Sequence, residues 1–296
     1  MIKKIQPLIA NLDATRHILK TFNLRASKRL GQNFLIDKSV VDEIVNAAEI
    51  EAGEKILEIG PGIGTLTQGL LEADANVTAV ELDKKLPAVL AETLAGYENF
   101  SLIQGDILKV DIREIMNGQS FKVVANLPYY ITTQIILTLL EKKLPIKKIV
   151  TMVQREVAER IIATPENLIA AKESAKTYGA LSVAVQFYTE PKIAFDVSPT
   201  AFLPSPEVTS SVIICEVRES QAVEVVDEKF FFRVVRAAFS QRRKTVVNSL
   251  IGGGFNREKV ISALQQSNID IKLRAENLSI NDFATFSNNL RGDQLA

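Results

Sequence analysis

The segment Glu58-Ile59-Gly60-Pro61-Gly62-Ile63-Gly64-Thr65 closes an apolar run and leads straight into a helical pattern. Glycines at alternate positions let a backbone turn sharply and approach a ligand closely, beside the positive end of a helix. The spacing is G-x-G-x-G, not the G-x-G-x-x-G of a dinucleotide clamp. Glu81 ends the next apolar run, 21 residues after Gly60, where a carboxylate meets the hydroxyls of a ribose. Gln104-Gly105-Asp106 ends a third run and brings Asp106 within reach of an adenine amino group. A nucleoside recognised without a pyrophosphate clamp points to S-adenosylmethionine rather than NAD. Gly60, Gly62, Glu81 and Asp106 are its candidate ligands. A fourth run ends in Asn126-Leu127-Pro128-Tyr129. Pro128 biases Leu127 to an extended backbone and so directs the Leu127 carbonyl. That carbonyl and the Asn126 amide oxygen make two acceptors at one spot, suited to both hydrogens of an exocyclic amine such as adenine N6. The lone pair of that amine is delocalised into its ring. Two acceptors favour a pyramidal nitrogen whose lone pair faces a methyl sulfonium. Catalysis of this kind is positioning and electrostatics rather than acid–base work. Tyr129 offers a ring on which the base can stack.

All four groups require one edge of one sheet. Strands are expected at Lys55–Ile59, Asn76–Glu81, Phe100–Gln104, Phe121–Ala125 and Lys148–Val153, alternating with helical patterns at Thr65–Glu72, Lys84–Ala95 and Ile131–Glu141. Such alternation indicates βαβ units and a parallel sheet, which binds ligands at the carboxyl ends of its strands. Val40, Val41, Ile44, Val45 and Ala48 repeat with helical spacing ahead of it. Leu181–Tyr188 and Ser211–Val217 have strand composition and are expected to form an antiparallel edge hairpin. Beyond Arg218 the segments Glu228–Phe239 and Arg257–Gln266 read as helices, broken at Gly252-Gly253-Gly254. The fold class is therefore α/β, a Rossmann-like methyltransferase sheet, parallel with an antiparallel edge hairpin, plus a small all-helical C-terminal domain. The expected domains are 1–218, with a basic extension over 1–38, and 219–296, the latter for RNA recognition.

The 35 basic and 35 acidic residues cancel, but they are segregated: residues 1–40 carry eight Lys/Arg against two Asp/Glu, and 41–120 carry five against fifteen. Arg236, Arg242, Arg243 and Lys244 lie in a stretch, 229–257, that contains no acid. With Lys28 and Arg29 they are the candidate nucleic-acid contacts. One Cys and one His, His17, cannot supply the three or four ligands of a zinc site, so no metal is expected. A single Cys fits a reducing compartment. No apolar run reaches the about 18 residues of a membrane span, and no signal-peptide core follows Met1-Ile2-Lys3-Lys4. A cytoplasmic monomer without membrane contact is expected.

These motifs carry a resemblance over nearly the whole chain. Leu30–Asp37 (LGQNFLID), Glu58–Thr65, Ala79–Leu82, Gly105-Asp106, Val124–Tyr130 (VANLPYY), Met152–Arg160, Tyr178–Phe187, Phe195–Ser210 and Arg236–Lys244 resemble the bacterial small-subunit (16S) ribosomal RNA adenine N6-dimethyltransferases. These are kin of the macrolide-resistance rRNA methylases. The resemblance implies that Asn33 and Leu35 contact the methionine end of S-adenosylmethionine, with Gly60 in the loop above it, Glu81 on its ribose and Asp106 on its adenine. It implies that Asn126 meets both cofactor and target amine, and that Tyr129 and Phe202 sandwich the target adenine. The implied partner is the small ribosomal subunit. Two other functions remain open on the sequence, a large-subunit resistance methylase and an assembly factor whose catalysis is secondary. The neutral charge balance departs from the usually basic members, so RNA contacts are expected to be concentrated. Thr164–Lys176 is longer than the resemblance leads one to expect, and a surface loop is expected there.

Overall fold

Strands covered by helices on both faces must be apolar almost throughout, and the central strands meet that requirement. In the computed structural model, which describes residues 7–167 and 177–295, helix α1 (Leu12–Thr21) leads through a turn at Lys28–Leu30 to strand β1 (Phe34–Leu35) and helix α2 (Lys38–Ala48). Asn11 and Asp37 cap the two helices, their side-chain oxygens accepting from the N–H groups of Asp13 and Ser39. The alternation then runs β2 (Lys55–Ile59), α3 (Thr65–Glu72), β3 (Asn76–Glu81), α4 (Leu86–Thr93), β4 (Phe100–Gln104), α5 (Ile112–Ile115), β5 (Phe121–Asn126), α6 (Thr132–Glu141) and β6 (Ile146–Gln154). After these come α7 (Arg155–Ile162), α8 (Ala180–Tyr188), β7 (Thr189–Val197), β8 (Phe202–Leu203) and β9 (Ser210–Val217). The chain ends with α9 (Glu228–Phe239), α10 (Val246–Gly252), α11 (Arg257–Gln266) and α12 (Ile280–Leu295).

The main sheet has the order β4-β3-β2-β5-β6-β9-β7. Strands β4 through β6 are parallel to their neighbours, and β9 pairs antiparallel with β6. Strand order reverses between β2 and β5, which opens a crevice above their carboxyl ends. The Rossmann-like sheet with an antiparallel edge is thus the observed fold. A second, two-stranded pairing joins Phe34 to Leu203 and Leu35 to Phe202.

The expected edge hairpin is corrected in one strand. Leu181–Tyr188 is not a strand but lies in helix α8, and the edge strand is β7, which follows it directly. The reason is that α8 is buried nearly all round, so no polar stripe reveals its period, and a short apolar run then reads equally as strand. Its Phe187 packs between Phe231, stacked at 5.2 Å, and Phe232, edge-on at 5.1 Å. Strand β7 is disguised by Pro191, which an edge strand tolerates because one side of its ladder is unpaired.

The described residues pack as two units, one within Met1–Ala158 and Pro191–Val217, the other within Glu159–Glu190 and Arg218–Ala296. The chain thus passes between the units at 158/159, 190/191 and 217/218, and α8 lies with the C-terminal helices. Residues 168–176 of the expected 164–176 loop lie outside the described residues.

Candidate active site

The crevice in the first unit holds an open cavity, about 1070 Å³ of empty space including the solvent at its mouth. Its walls come from the turn before β1, the carboxyl ends of β2, β3, β4 and β5, and the start of α6. The sequence candidates Asn33, Leu35, Gly60, Gly62, Glu81 and Asp106 all line it. So do Asn126, Leu127, Pro128 and Tyr129. Among the described residues that line it, none is Lys, Arg or His, whereas Glu58, Glu81 and Asp106 are acids. A phosphate would meet no counter-charge here. A cationic ligand would.

Local chain geometry explains how the acids are aimed. Gly60, Gly62 and Gly64 have φ values of +70°, +60° and +94°, the left-handed region that glycine enters without steric cost. The loop bends back far enough for the Gly62 N–H to donate to Glu81 Oε2 at 3.3 Å. The Asp83 N–H donates to Glu81 Oε1 at 2.7 Å. Burial raises the Glu81 pKa, and these backbone donors work against it. Asp106 accepts from the Leu108 N–H at 3.1 Å, which fixes the carboxylate at the end of β4.

Asn126 donates through Nδ2 to the Asn33 carbonyl at 3.4 Å, which leaves Oδ1 as its acceptor. The Pro128 carbonyl is held in place. Thr132 Oγ1 donates to the Pro128 carbonyl at 2.9 Å, as does the Ile131 N–H at 3.2 Å. The Tyr129 hydroxyl and Ser210 Oγ are 2.6 Å apart, and burial raises the Tyr129 pKa.

Phe202 is the exception. It is only 3% exposed, packs in the core and is not among the cavity's lining residues. It pairs with Leu35, which does line the cavity, across the β1–β8 ladder. Of the basic candidates, Lys28 lies in the turn Lys28–Leu30 and Arg29 is exposed, outside the cavity lining. Arg236, Arg242, Arg243 and Lys244 belong to the second unit and are exposed.

Three residues without an assigned role in the sequence reading also line the cavity. Glu58 is 1% exposed, its Oε2 has no hydrogen-bond partner, and its pKa is pushed up to about 8 by burial, with the Glu81 charge adding to the rise. The nearby Thr67 hydroxyl works against that rise. Gln32 donates to Asp83 Oδ2 at 3.0 Å and accepts from the Ser27 N–H at 2.8 Å, tying the turn before β1 to the loop after β3. Tyr130 sits exposed at the mouth. The acid amid apolar neighbours at Glu58 was a readable signal. The bond from Gln32 to Asp83 was not.

The chain is similar to known proteins over nearly its whole length. The family described as "Ribosomal RNA adenine dimethylase" matches residues 23–291. A protein of Bacillus licheniformis named ribosomal RNA small subunit methyltransferase A is 47% identical over 292 residues, covering 96% of this chain and 97% of that one. Its namesake in Clostridioides difficile is 44% identical, covering 95% of this chain and 96% of that one. Among solved structures, a dimethyladenosine transferase from Plasmodium falciparum superposes with a TM-score of 0.70 at 25% identity, over 86% of this chain and 95% of that one.

Proposed function

The chain belongs to the ribosomal RNA adenine dimethylase family, and on that basis we propose how its cavity carries out the reaction. The protein is a methyltransferase that dimethylates adenine N6 in small-subunit ribosomal RNA. Its methyl donor is of the S-adenosylmethionine type, which supplies, when bound, an electrophilic methyl group on a sulfonium. The residues suit that donor. Acidic, free of basic side chains and floored by open glycine backbone, the cavity favours a cationic nucleoside and gives a phosphate no partner.

In this reading Glu81 accepts from the ribose hydroxyls and Asp106 from the adenine amine. Asn33, Leu35, Gly60 and Gly62 surround the methionine end. The target adenine leaves its stack to enter the cavity, as bases must for chemistry at a ring substituent. Asn126 Oδ1 and the Leu127 carbonyl hold its N6 hydrogens, with Pro128 fixing the backbone between them and Tyr129 stacking on the ring. The bound donor would supply the methyl group that N6 takes up, its S–C electron pair remaining on sulfur, and one proton would leave the nitrogen to water. The observation that carries the assignment is the Asn126–Asn33 bond, because it commits the amide nitrogen and turns the oxygen into the free acceptor. After the first transfer one N–H remains, and one acceptor still holds it for the second. Arg29, Arg236, Arg242, Arg243 and Lys244 are exposed cations for the RNA backbone, with Lys28 next to Arg29 in sequence. The reaction belongs to the cytoplasm, where small ribosomal subunits lie.

The test incubates the protein and labelled donor with unmethylated small and large subunits separately. Label is expected in small-subunit rRNA, with N6,N6-dimethyladenine as the end product by mass spectrometry. Label confined to the large subunit, or monomethyladenine as the final product with donor in excess, would overturn it.

A further inference from the structure

Drawing a base out of an RNA strand into the cavity breaks its stack on both sides. The face it leaves bare belongs to the adjoining nucleotide, which waits at the mouth. Tyr130 is at that mouth. It lines the cavity, yet it is 59% exposed. Its neighbour Tyr129 is anchored through its hydroxyl to Ser210. The Tyr130 hydroxyl makes no hydrogen bond among the described residues.

The ring is nonetheless held. A Cβ placed on Gly31 would come 3.3 Å from Tyr130 Cδ1 and 3.4 Å from Pro128 Cβ, so bare backbone backs one side of the ring. Gly31 has φ of +60°, a conformation that resists any side chain there. The Thr132 and Ile131 bonds to the Pro128 carbonyl stiffen the same loop. A fixed, wet aromatic ring one residue beyond the base-stacking tyrosine is the arrangement by which successive bases are gripped on successive rings.

We propose that Tyr130 is the stacking surface for the nucleotide adjoining the target adenosine, replacing the stack that entry of the target breaks. This rests on the reading of the site as an RNA adenine methylase. It makes Tyr130 a specificity residue for the strand and leaves the cofactor's binding untouched.

The experiment compares Tyr130→Phe, Tyr130→Trp, Tyr130→Leu and Tyr130→Ala on unmethylated small subunits, with S-adenosylmethionine affinity measured separately by calorimetry. Stacking on an aromatic contributes roughly 1–3 kcal/mol per base, about five- to a hundredfold in affinity. Phe and Trp are expected to keep the wild-type KM for subunits within about twofold. Leu and Ala are expected to raise it about five- to a hundredfold with cofactor affinity unchanged. If Leu performs as well as Phe, the interaction is apolar packing and not stacking, and the proposal fails. It fails as well if Ala leaves KM unchanged, or if Ala weakens cofactor binding in parallel, which would make the ring a cover for the cofactor. A wild-type protein inactive on small subunits would overturn the underlying reading and the proposal with it.

Discussion

Asn126 and Glu58 line one cavity and differ in what surrounds them. Asn126 is oriented by a donated bond to the Asn33 carbonyl, so its role depends on one amide oxygen in one place. Asn126→Ala removes that oxygen from the reacting centre, where a preorganised polar group is worth about 10²–10³ in rate. Single-turnover methyl transfer is expected to fall by that factor while affinity for the subunit stays near wild type. A near-normal rate would remove Asn126 from the chemistry. Glu58 is paired by nothing at Oε2, and its acidic equilibrium has moved from 4.5 to about 8. The folded chain therefore keeps a proton that the unfolded chain has already lost between those values. Stability from this group is full below about 4.5 and is lost as the pH climbs to about 8. Glu58→Gln, which cannot ionise, is expected to lie above wild type in urea stability at pH 8, by as much as a few kcal/mol, with the gap closing near pH 5. Parallel stability curves for the two proteins would show that Glu58 is not protonated in the folded state.

Helices α2 and α3 show how closely the site's scaffold is packed. A Cβ on Gly69 of α3 would come 2.5 Å from Val41 Cγ1 and 3.3 Å from Val45 Cγ2 on α2. In a free helix Gly→Ala gains about 1 kcal/mol from propensity. Here the neighbours are β-branched and stiff at χ1, so the added methyl must push the helices apart, at about 1–3 kcal/mol. Gly69→Ala is expected to lower Tm and to weaken cofactor binding, since α3 carries the glycine loop at its start. An unchanged or raised Tm would mean that the helix pair yields. Among these elements, sequence patterns have a visible limit. Strands β2, β3, β4 and β5 were legible because each is a short apolar run, closed by the glycine loop after β2 and by a polar residue at the ligand edge in β3, β4 and β5. Helix α8 was not legible, because burial on every side erases the polar stripe that distinguishes a period of 3.6 from one of 2. Strand β7 alternates in burial over Thr189–Val197, but Pro191 argues against a strand until its edge position is known.

For the molecule as a whole, a net charge of zero conceals an acid-free stretch at 229–257, and the second unit exposes its cations. Arg233, Arg236, Arg242, Arg243 and Lys244 are all exposed, and the Arg233 guanidinium lies 4.8 Å over the Phe255 ring. Replacing Arg242, Arg243 and Lys244 by Gln should weaken binding to small subunits. It should also flatten the log–log salt dependence by roughly 0.7–0.9 for each phosphate no longer neutralised. A wild-type slope in the triple variant would leave that cluster a solvated surface.

Sequence alone settles what neighbouring residues decide between themselves. The glycine loop, the acids at strand ends, the extended backbone before Pro128 and the alternation that implies a parallel sheet are all local in the chain. Eight residues named from those local features, Gly60, Gly62, Glu81, Asp106 and Asn126 to Tyr129, line the cavity; Asn33 and Leu35 came from the resemblance alone. The remainder came from tertiary packing. It paired Phe34 and Leu35 with Leu203 and Phe202 and buried Phe202 at 3% exposure. It tied Gln32 to Asp83, left Glu58 Oε2 without a partner and set Tyr130 at the mouth. Each depends on segments far apart in the chain meeting in space. Burial, unlike hydrophobic pattern, belongs to the packed arrangement and not to any one segment.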